Sequence, residues 1–331
     1  MYTSRYLAKI LCHGALGITG LYRRAHKRLA GRLVLLTYHS FADKSTDALN
    51  GAQPIRLFRQ QMDFLRRNYQ IVSLEEGWQR LKAGDPAWPP FAAVTIDDGF
   101  ADNYQFAFPV LQEFAIPATI FLATDFIDTG RMPWPTRLGM IMDAALLPRM
   151  EFPFAAPIAT RQEKIAAFIR LKNSLAVLPP LERFIHLDEL AARLHVKREA
   201  AFAPLSWRQI REMRDAGIHF GSHTEFHSIL PNIDAATRKQ EALVSKKRLE
   251  EELKAECRLL AYPNGDYDKM TCETVAACGY ALAVSQENGA NGAATPPLAL
   301  HRIEIPHHDP FASFAGRVSL GLPLKSHVGA I

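Results

Sequence analysis

Asp97 and Asp98 stand side by side in FAAVTIDDGF (residues 91–100), after an apolar, β-branched run and before Gly99. Residues 92–96 read as a buried strand that ends where the charges begin, which puts both carboxylates at a strand's C-terminal tip. Adjacent strand residues point to opposite sides, and like charges this close repel and raise one pKa, so a positive group is expected beside them. Asp-Asp-Gly also has the chemistry of a plain turn, with Asp bonding its own backbone and Gly supplying φ > 0. A second constellation lies in GSHTEFHS (221–228), where His223 and His227 are four residues apart just past another strand-like run. If the chain turns into a helix here, both imidazoles share one face with Cβ atoms about 5–6 Å apart, close enough for one metal ion; a carboxylate would complete the set. Either histidine alone reads as an ordinary satisfied polar residue. Strand C-termini are where α/β enzymes assemble sites, and this joins the two groups.

The elements that would have to position them alternate along the chain. Short β-rich runs at 32–41, 92–97, 118–124, 218–224, 258–263, 281–286 and 300–306 are separated by helical patterns, which implies βαβ units and a parallel sheet. Phe58, Met62, Leu65 and Tyr69 recur at helical spacing. Ser206 and Gln209 form a capping-box pair for a helix that stops at Gly217. Residues 234–256 predict a long exposed helix and 271–279 a short one. From about 128 to 203 the rhythm breaks: no clear strand occurs, and the stretch reads as a mainly helical insertion in one domain.

The 331 residues, 48% hydrophobic, can bury a full core and suit one large α/β domain or two ordinary ones. A net charge of +5 is modest, and the basic residues concentrate at 23–32 without interleaved aromatics, which gives nucleic-acid binding little support. Cys12, Cys257, Cys272 and Cys278 show no CxxC and no even framework, so reduced thiols are expected rather than a disulfide scaffold or a cysteine zinc site. The apolar stretch 10–22 is too short and polar to span a bilayer, and its basic cluster follows it, unlike a signal peptide. Residues 1–30 read either as a basic amphipathic segment resting on an anionic membrane surface, through Lys9, Arg23, Arg24, Lys27 and Arg28, or as a helix packed on the domain. The expected location is cytoplasmic, peripheral to the membrane on the first reading.

Thr95-Ile96-Asp97-Asp98-Gly99 matches the pattern T-[FI]-D-D-G, and His223-Thr224-Glu225-Phe226-His227 matches H-[ST]-x-x-H. On these motifs, in this order and at strand ends, the chain resembles the polysaccharide deacetylase family, metal-dependent carbohydrate esterases with a NodB-homology domain. The resemblance extends to LLTYHSF, LAYPNG and LHRIEIP and covers about residues 32–306, with the insertion outside it. It implies an α/β fold, a distorted (β/α) barrel spanning residues 31–331. It also implies Asp97 as general base and a divalent metal, zinc by expectation, held by Asp98, His223 and His227.

Three positions depart from the common family pattern. Ala261 stands where many members have arginine, Asn264 where tyrosine is usual, and Arg302 where many supply a late histidine as general acid. A branch acting on exopolysaccharides such as poly-N-acetylglucosamine is more similar, with the same early Tyr-His and a late R-[IV]. That likeness moves the acid role to His39, with His301, His307 and His308 as weaker candidates. Backbone N–H groups of the Tyr262-Pro263-Asn264 turn are expected to face the tetrahedral oxyanion. Arg302 either orients Asp97 or is a structural or surface arginine. The expected activity is metal-dependent removal of N-acetyl groups from a polymeric or lipid-linked amino sugar. The alternatives are hydrolysis of a small non-sugar amide and a non-catalytic carbohydrate-binding relic.

Overall fold

The computed structural model describes residues 27–44, 49, 51–85, 88–196, 202–307 and 309–321. The N-terminal segment 1–26, Cys12 and His308 lie outside them. Among the described residues no helix is long and apolar enough to cross a membrane, and Cys257, Cys272 and Cys278 are free thiols.

In chain order the strands are β1 (Leu33–Tyr38), β2 (Phe41–Ala42), β3 (Gln53–Pro54), β4 (Gln70–Ile71), β5 (Phe91–Ile96), β6 (Ala118–Leu122), β7 (Arg149–Met150), β8 (Ala156–Pro157), β9 (His219–Ser222), β10 (Leu259–Ala261), β11 (Leu282–Val284) and β12 (Ile303–Glu304). The main sheet runs β11-β10-β9-β6-β5-β1-β12, with β4 beside the start of β5. Its pairs are all parallel. A parallel bridge from Val284 of β11 to Leu300 brings the far edge round to the run that enters β12, so the sheet curls almost closed. The result is the expected distorted barrel.

Period-two alternation divides the two central strands. Val34, Leu36, Tyr38, Ala92, Val94 and Ile96 face a core shared with surrounding helices, such as Phe58, Met62 and Leu65 of Ile55–Asn68. Leu33, Leu35, Phe91 and Ala93 pack with Phe121, Ala261 and Val284 from across the sheet, filling the barrel interior. Continuous burial of β1, β5 and β6 is what a parallel strand covered on both faces requires. Odd-numbered residues of β5 therefore point inward, and Asp97 continues that series past the last apolar layer.

The helices Trp134–Ala144, Arg161–Leu175 and Pro180–Arg193 pack on one another through Trp134, Leu138, Phe168, Leu171 and Leu187. Thr160 and Glu163 close a capping box at the start of the second. A two-residue antiparallel pair, β7 with β8, interrupts this stretch where the sequence offers no clear strand. Pairs that short leave no alternation to read.

Candidate metal and catalytic site

Four strands end at one mouth of the barrel, and a fifth begins with a residue that reaches it. His39 follows β1, Asp97 and Asp98 follow β5, His223 follows β9, and the Tyr262–Asn264 turn follows β10, while Arg302 enters β12. Two backbone bonds carry the ladder past the strand ends: Asp97 N–H donates to the Tyr38 carbonyl (2.9 Å) and His223 N–H to the Leu122 carbonyl (2.8 Å). The turn expected at Asp-Asp-Gly is present and serves the site. Asp98 takes φ 77° and Gly99 φ 85°. A Cβ on Gly99 would stand 2.7 Å from a Leu122 methyl, so only glycine lets the chain swing Asp98 away from Asp97.

The two carboxylates consequently face different partners. Arg302, fully buried, grips Asp97 with two parallel bonds, Nη1 to Oδ1 and Nη2 to Oδ2, both 2.8 Å. The guanidinium is itself fixed by the Ser285 carbonyl (2.9 Å) and Thr95 Oγ1 (3.2 Å). This is the positive group that the adjacent carboxylates call for, and its burial excludes a surface arginine. Burial pushes the Asp97 pKa up, but Arg302's charge and hydrogen bonds, with smaller contributions from the charges of His223 and His39, hold it below the ordinary carboxylate value. His39 Nε2 lies 4.0 Å from Asp97 Oδ2 with its side chain 41% exposed, so it borders both the carboxylate and solvent.

Asp98 faces the histidines instead. Its Oδ1 is 3.5 Å from His223 Nε2 and 3.3 Å from His227 Nε2. Among the described residues these three form the one group of His, Cys, Asp and Glu side chains spaced to hold a metal ion, with donor atoms all within 4.8 Å. The His pair is not helical, contrary to the reading from its spacing. Residues 223–227 form a loop with φ 65° at Thr224 and φ 55° at His227, and these left-handed residues turn the rings to 4.7 Å between centroids.

The chemistry of this donor set fits a divalent cation. His223 Nδ1 bonds the Ala261 carbonyl (2.8 Å), which places its proton there and aims the Nε2 lone pair at Asp98. Burial pushes the His223 pKa down to about 4, so the ring is neutral near pH 7. Burial also raises the Asp98 pKa, but hydrogen bonding and charge from His227, with charge from His39 and His223, hold it below the usual range. Asp98 Oδ1 is buried, and although His227 Nε2 approaches to 3.3 Å the contact lacks the alignment of a full hydrogen bond. An imidazole lone pair and a carboxylate oxygen directed at one point, away from water, need a positive charge between them.

Several supporting residues carry no sequence signal of their own. Glu241, buried on the helix Ala235–Leu253, accepts the backbone N–H groups of Glu225 (3.0 Å) and Phe226 (2.9 Å) and the Ser228 hydroxyl, bracing the histidine loop. Trp134 Nε1 donates to the His227 carbonyl (3.0 Å) and Arg183 Nη1 to Ser228 Oγ (2.9 Å), so the helical stretch buttresses the same loop. Beside β1, the Asn103 amide donates to the His39 carbonyl and to Asp102 Oδ1, both 2.8 Å, and Ser40 Oγ donates to Asp102 Oδ2 (2.5 Å). Burial drives the Asp102 pKa up to about 7, against its hydrogen bonds from Ser40, Phe41 and Asn103.

Two expectations need correction. Tyr262 N–H is spent on the Val284 carbonyl (3.1 Å) and Pro263 has no N–H, so Asn264 is the only residue of that turn able to offer a main-chain donor. Tyr262 instead buries its ring and donates its hydroxyl to the Leu298 carbonyl (2.9 Å). His301 is remote: the register Leu36 to Ile303 sets it beside Val34. That is five residues short of His39, roughly 16 Å at about 3.3 Å per residue. It pairs with Glu287 (3.2 Å). His307 lies against Gly51, where an added Cβ would strike its ring.

Comparison with known proteins is consistent with this geometry. The polysaccharide deacetylase family model matches residues 85–283, more than half of the chain. YxkH of Bacillus subtilis (strain 168), which carries the polysaccharide deacetylase name, is 24% identical over 275 residues, 83% of this chain and 71% of that protein. A poly-beta-1,6-N-acetyl-D-glucosamine N-deacetylase of Escherichia coli (strain K12) is 30% identical over 97 residues, 29% of this chain and 14% of that protein. Among solved structures, the Streptococcus pyogenes deacetylase PplD in complex with acetate superposes with a TM-score of 0.61 at 20% identity, covering 88% of this chain and 99% of that one.

Proposed function

The chain belongs to the polysaccharide deacetylase family, and from that premise we propose that it is a metal-dependent N-deacetylase acting on a polymeric or lipid-linked N-acetylated amino sugar. The observation that carries this reading is the division of the adjacent carboxylates, Asp97 onto Arg302 and Asp98 onto His223 and His227. The E. coli relative, named for poly-beta-1,6-N-acetyl-D-glucosamine, favours an exopolysaccharide as substrate.

Asp98, His223 and His227 would hold the ion, and zinc suits two imidazoles and a carboxylate. Bound there, it would polarise the amide carbonyl and lower the pKa of a water. Asp97 is placed to take a proton from the attacking water; Arg302 keeps it ionised for the task and out of the ligand set. His39, beside Asp97 and open to solvent, hands a proton to the departing sugar amine. The Asn264 N–H faces the charge that develops on the acyl oxygen. Residues 1–30, if they rest on an anionic membrane surface, would keep the protein near lipid-linked chains.

Acetate release from β-1,6-linked N-acetylglucosamine oligosaccharides and from lipid-linked N-acetyl sugars tests the reading. Activity on one of these that falls about 10²-fold or more in Asp97→Asn, a near-isostere that cannot accept a proton, is expected. No release from any of them by metal-loaded protein would overturn it.

A further inference from the structure

Lys172 belongs to the helix Arg161–Leu175, whose Phe168, Leu171 and Leu175 join the cluster of the neighbouring helices. Its side chain nevertheless leaves that helix for the barrel mouth. Nζ donates to Asn264 Oδ1 at 2.6 Å, and the same amide's Nδ2 donates to Asp266 Oδ2 at 2.6 Å. Asn264 is thus held from both ends of its amide while its backbone sits at φ 60°, ψ 0°, a left-handed conformation that Asn adopts more readily than most non-glycine residues. The next residue, Gly265, has φ 76° and runs so close to Gln286 that a Cβ there would meet it at 2.3 Å, so the turn continues on a position that only glycine fits. Asp266 and Glu304, the last residue of β12, both act on Lys172 electrostatically, so the ammonium lies between the β10 turn and the end of β12.

We propose that Lys172 is a positioning residue: it locks the Asn264 side chain so that the Asn264 N–H, the one main-chain donor of its turn, is held toward the reacting acyl group. The proposal rests on the deacetylase reading above. It makes the helical stretch 134–193 a working part of the site. Burial lowers the Lys172 pKa, opposed by Asp266 and Glu304, which agrees with an ammonium committed to an internal contact. A donor aimed at developing charge loses effect with small displacements, and about 1 Å of misplacement can cost 10²-fold.

The test compares Lys172→Met, Lys172→Arg, Asn264→Gly and the double variant Lys172→Met/Asn264→Gly on a β-1,6-linked N-acetylglucosamine oligosaccharide. Asn264→Gly keeps the N–H and the left-handed turn but removes the anchor point. Lys172→Met and Asn264→Gly should each lower kcat about 10-fold with KM unchanged. Lys172→Arg should restore most of the rate, and the double variant should be no slower than either single, because both remove one contact. Hydrogen exchange of the Gly265 and Asp266 amides in the resting protein should accelerate in Lys172→Met. Multiplied losses in the double variant, or a raised KM in place of a lowered kcat, would overturn the proposal by showing that Lys172 touches substrate directly. Unchanged kcat and unchanged exchange would also overturn it. If the wild type releases no acetate, the deacetylase reading fails, and the exchange arm still decides whether Lys172 holds the turn.

Discussion

Replacing Arg302 by methionine keeps most of the buried apolar stem and removes the charge that faces Asp97. The guanidinium makes two 2.8 Å charged bonds to that carboxylate, and both groups are buried. Breaking such a pair from one side costs about 3–5 kcal/mol, because a carboxylate is left uncompensated in the interior. At about 1.36 kcal/mol per pKa unit, a loss of ~3 kcal/mol falling on the ionised form raises the Asp97 pKa by about 2 units. In the wild type, burial raises this pKa but Arg302, His223 and His39 bring it below the ordinary value. Its stabilising contribution is therefore complete above the unfolded-state value of about 3.9 and is lost as pH falls through the folded value. In the variant burial acts with its main opponent gone, so the sign reverses: the deficit is small at low pH and opens as pH rises through the elevated pKa. Denaturant melts from pH 4 to 9 should show that opening deficit, and the acid limb of kcat/KM should move up by about 2 units. Adding Asp97→Asn should restore part of the stability, since neither charge then remains. An unmoved acid limb together with a pH-independent stability loss would show that Arg302 does not hold Asp97 ionised.

His39→Ala should slow amide substrates about 10²-fold or more while leaving an activated acetyl ester nearly unaffected, because only the amine needs a proton to leave. Equal losses on both, measured by acetate release, would assign His39 to support of the site. Glu241→Ala strips three hydrogen bonds from the histidine loop and should weaken metal affinity about 10- to 100-fold, read by chelator competition, as outer partners of ligands do. Wild-type affinity in that variant would show that the loop holds its shape without the brace.

The sheet was largely legible because continuous apolar runs such as 33–38, 91–96 and 118–122 are long enough to declare parallel strands buried on both faces. The β7–β8 pair, at two residues each, falls below that threshold. The side chains that meet at the mouth carry their chemistry in local motifs, and strand ends bring those motifs together. How the histidines meet was not legible: their spacing suits a helix, and only the positive φ values at Thr224 and His227 reveal a loop. Glu241, Trp134 and Asp102 are invisible for a different reason. Each acts through a contact between residues far apart in sequence, 15, 93 and 62 positions for the bonds to Phe226, His227 and Ser40, and none sits in a recognisable pattern. The Tyr262 N–H could be assigned to the oxyanion only while the pairing of β10 with β11 was unknown.

In the proposed mechanism Asp98, His223 and His227 hold an ion on which amide hydrolysis depends, with Asp97 outside that ligand set. Metal content per chain, measured by elemental analysis beside acetate release for the wild type, Asp98→Ala, His223→Ala, His227→Ala and Asp97→Asn, tests it most directly. The expected result is about one ion per wild-type chain, lost from each of the three ligand variants while they remain folded, and retained in Asp97→Asn with turnover down about 10²-fold. Metal retained at wild-type affinity in all three ligand variants, or acetate release that persists after the wild type is stripped of metal, would contradict it.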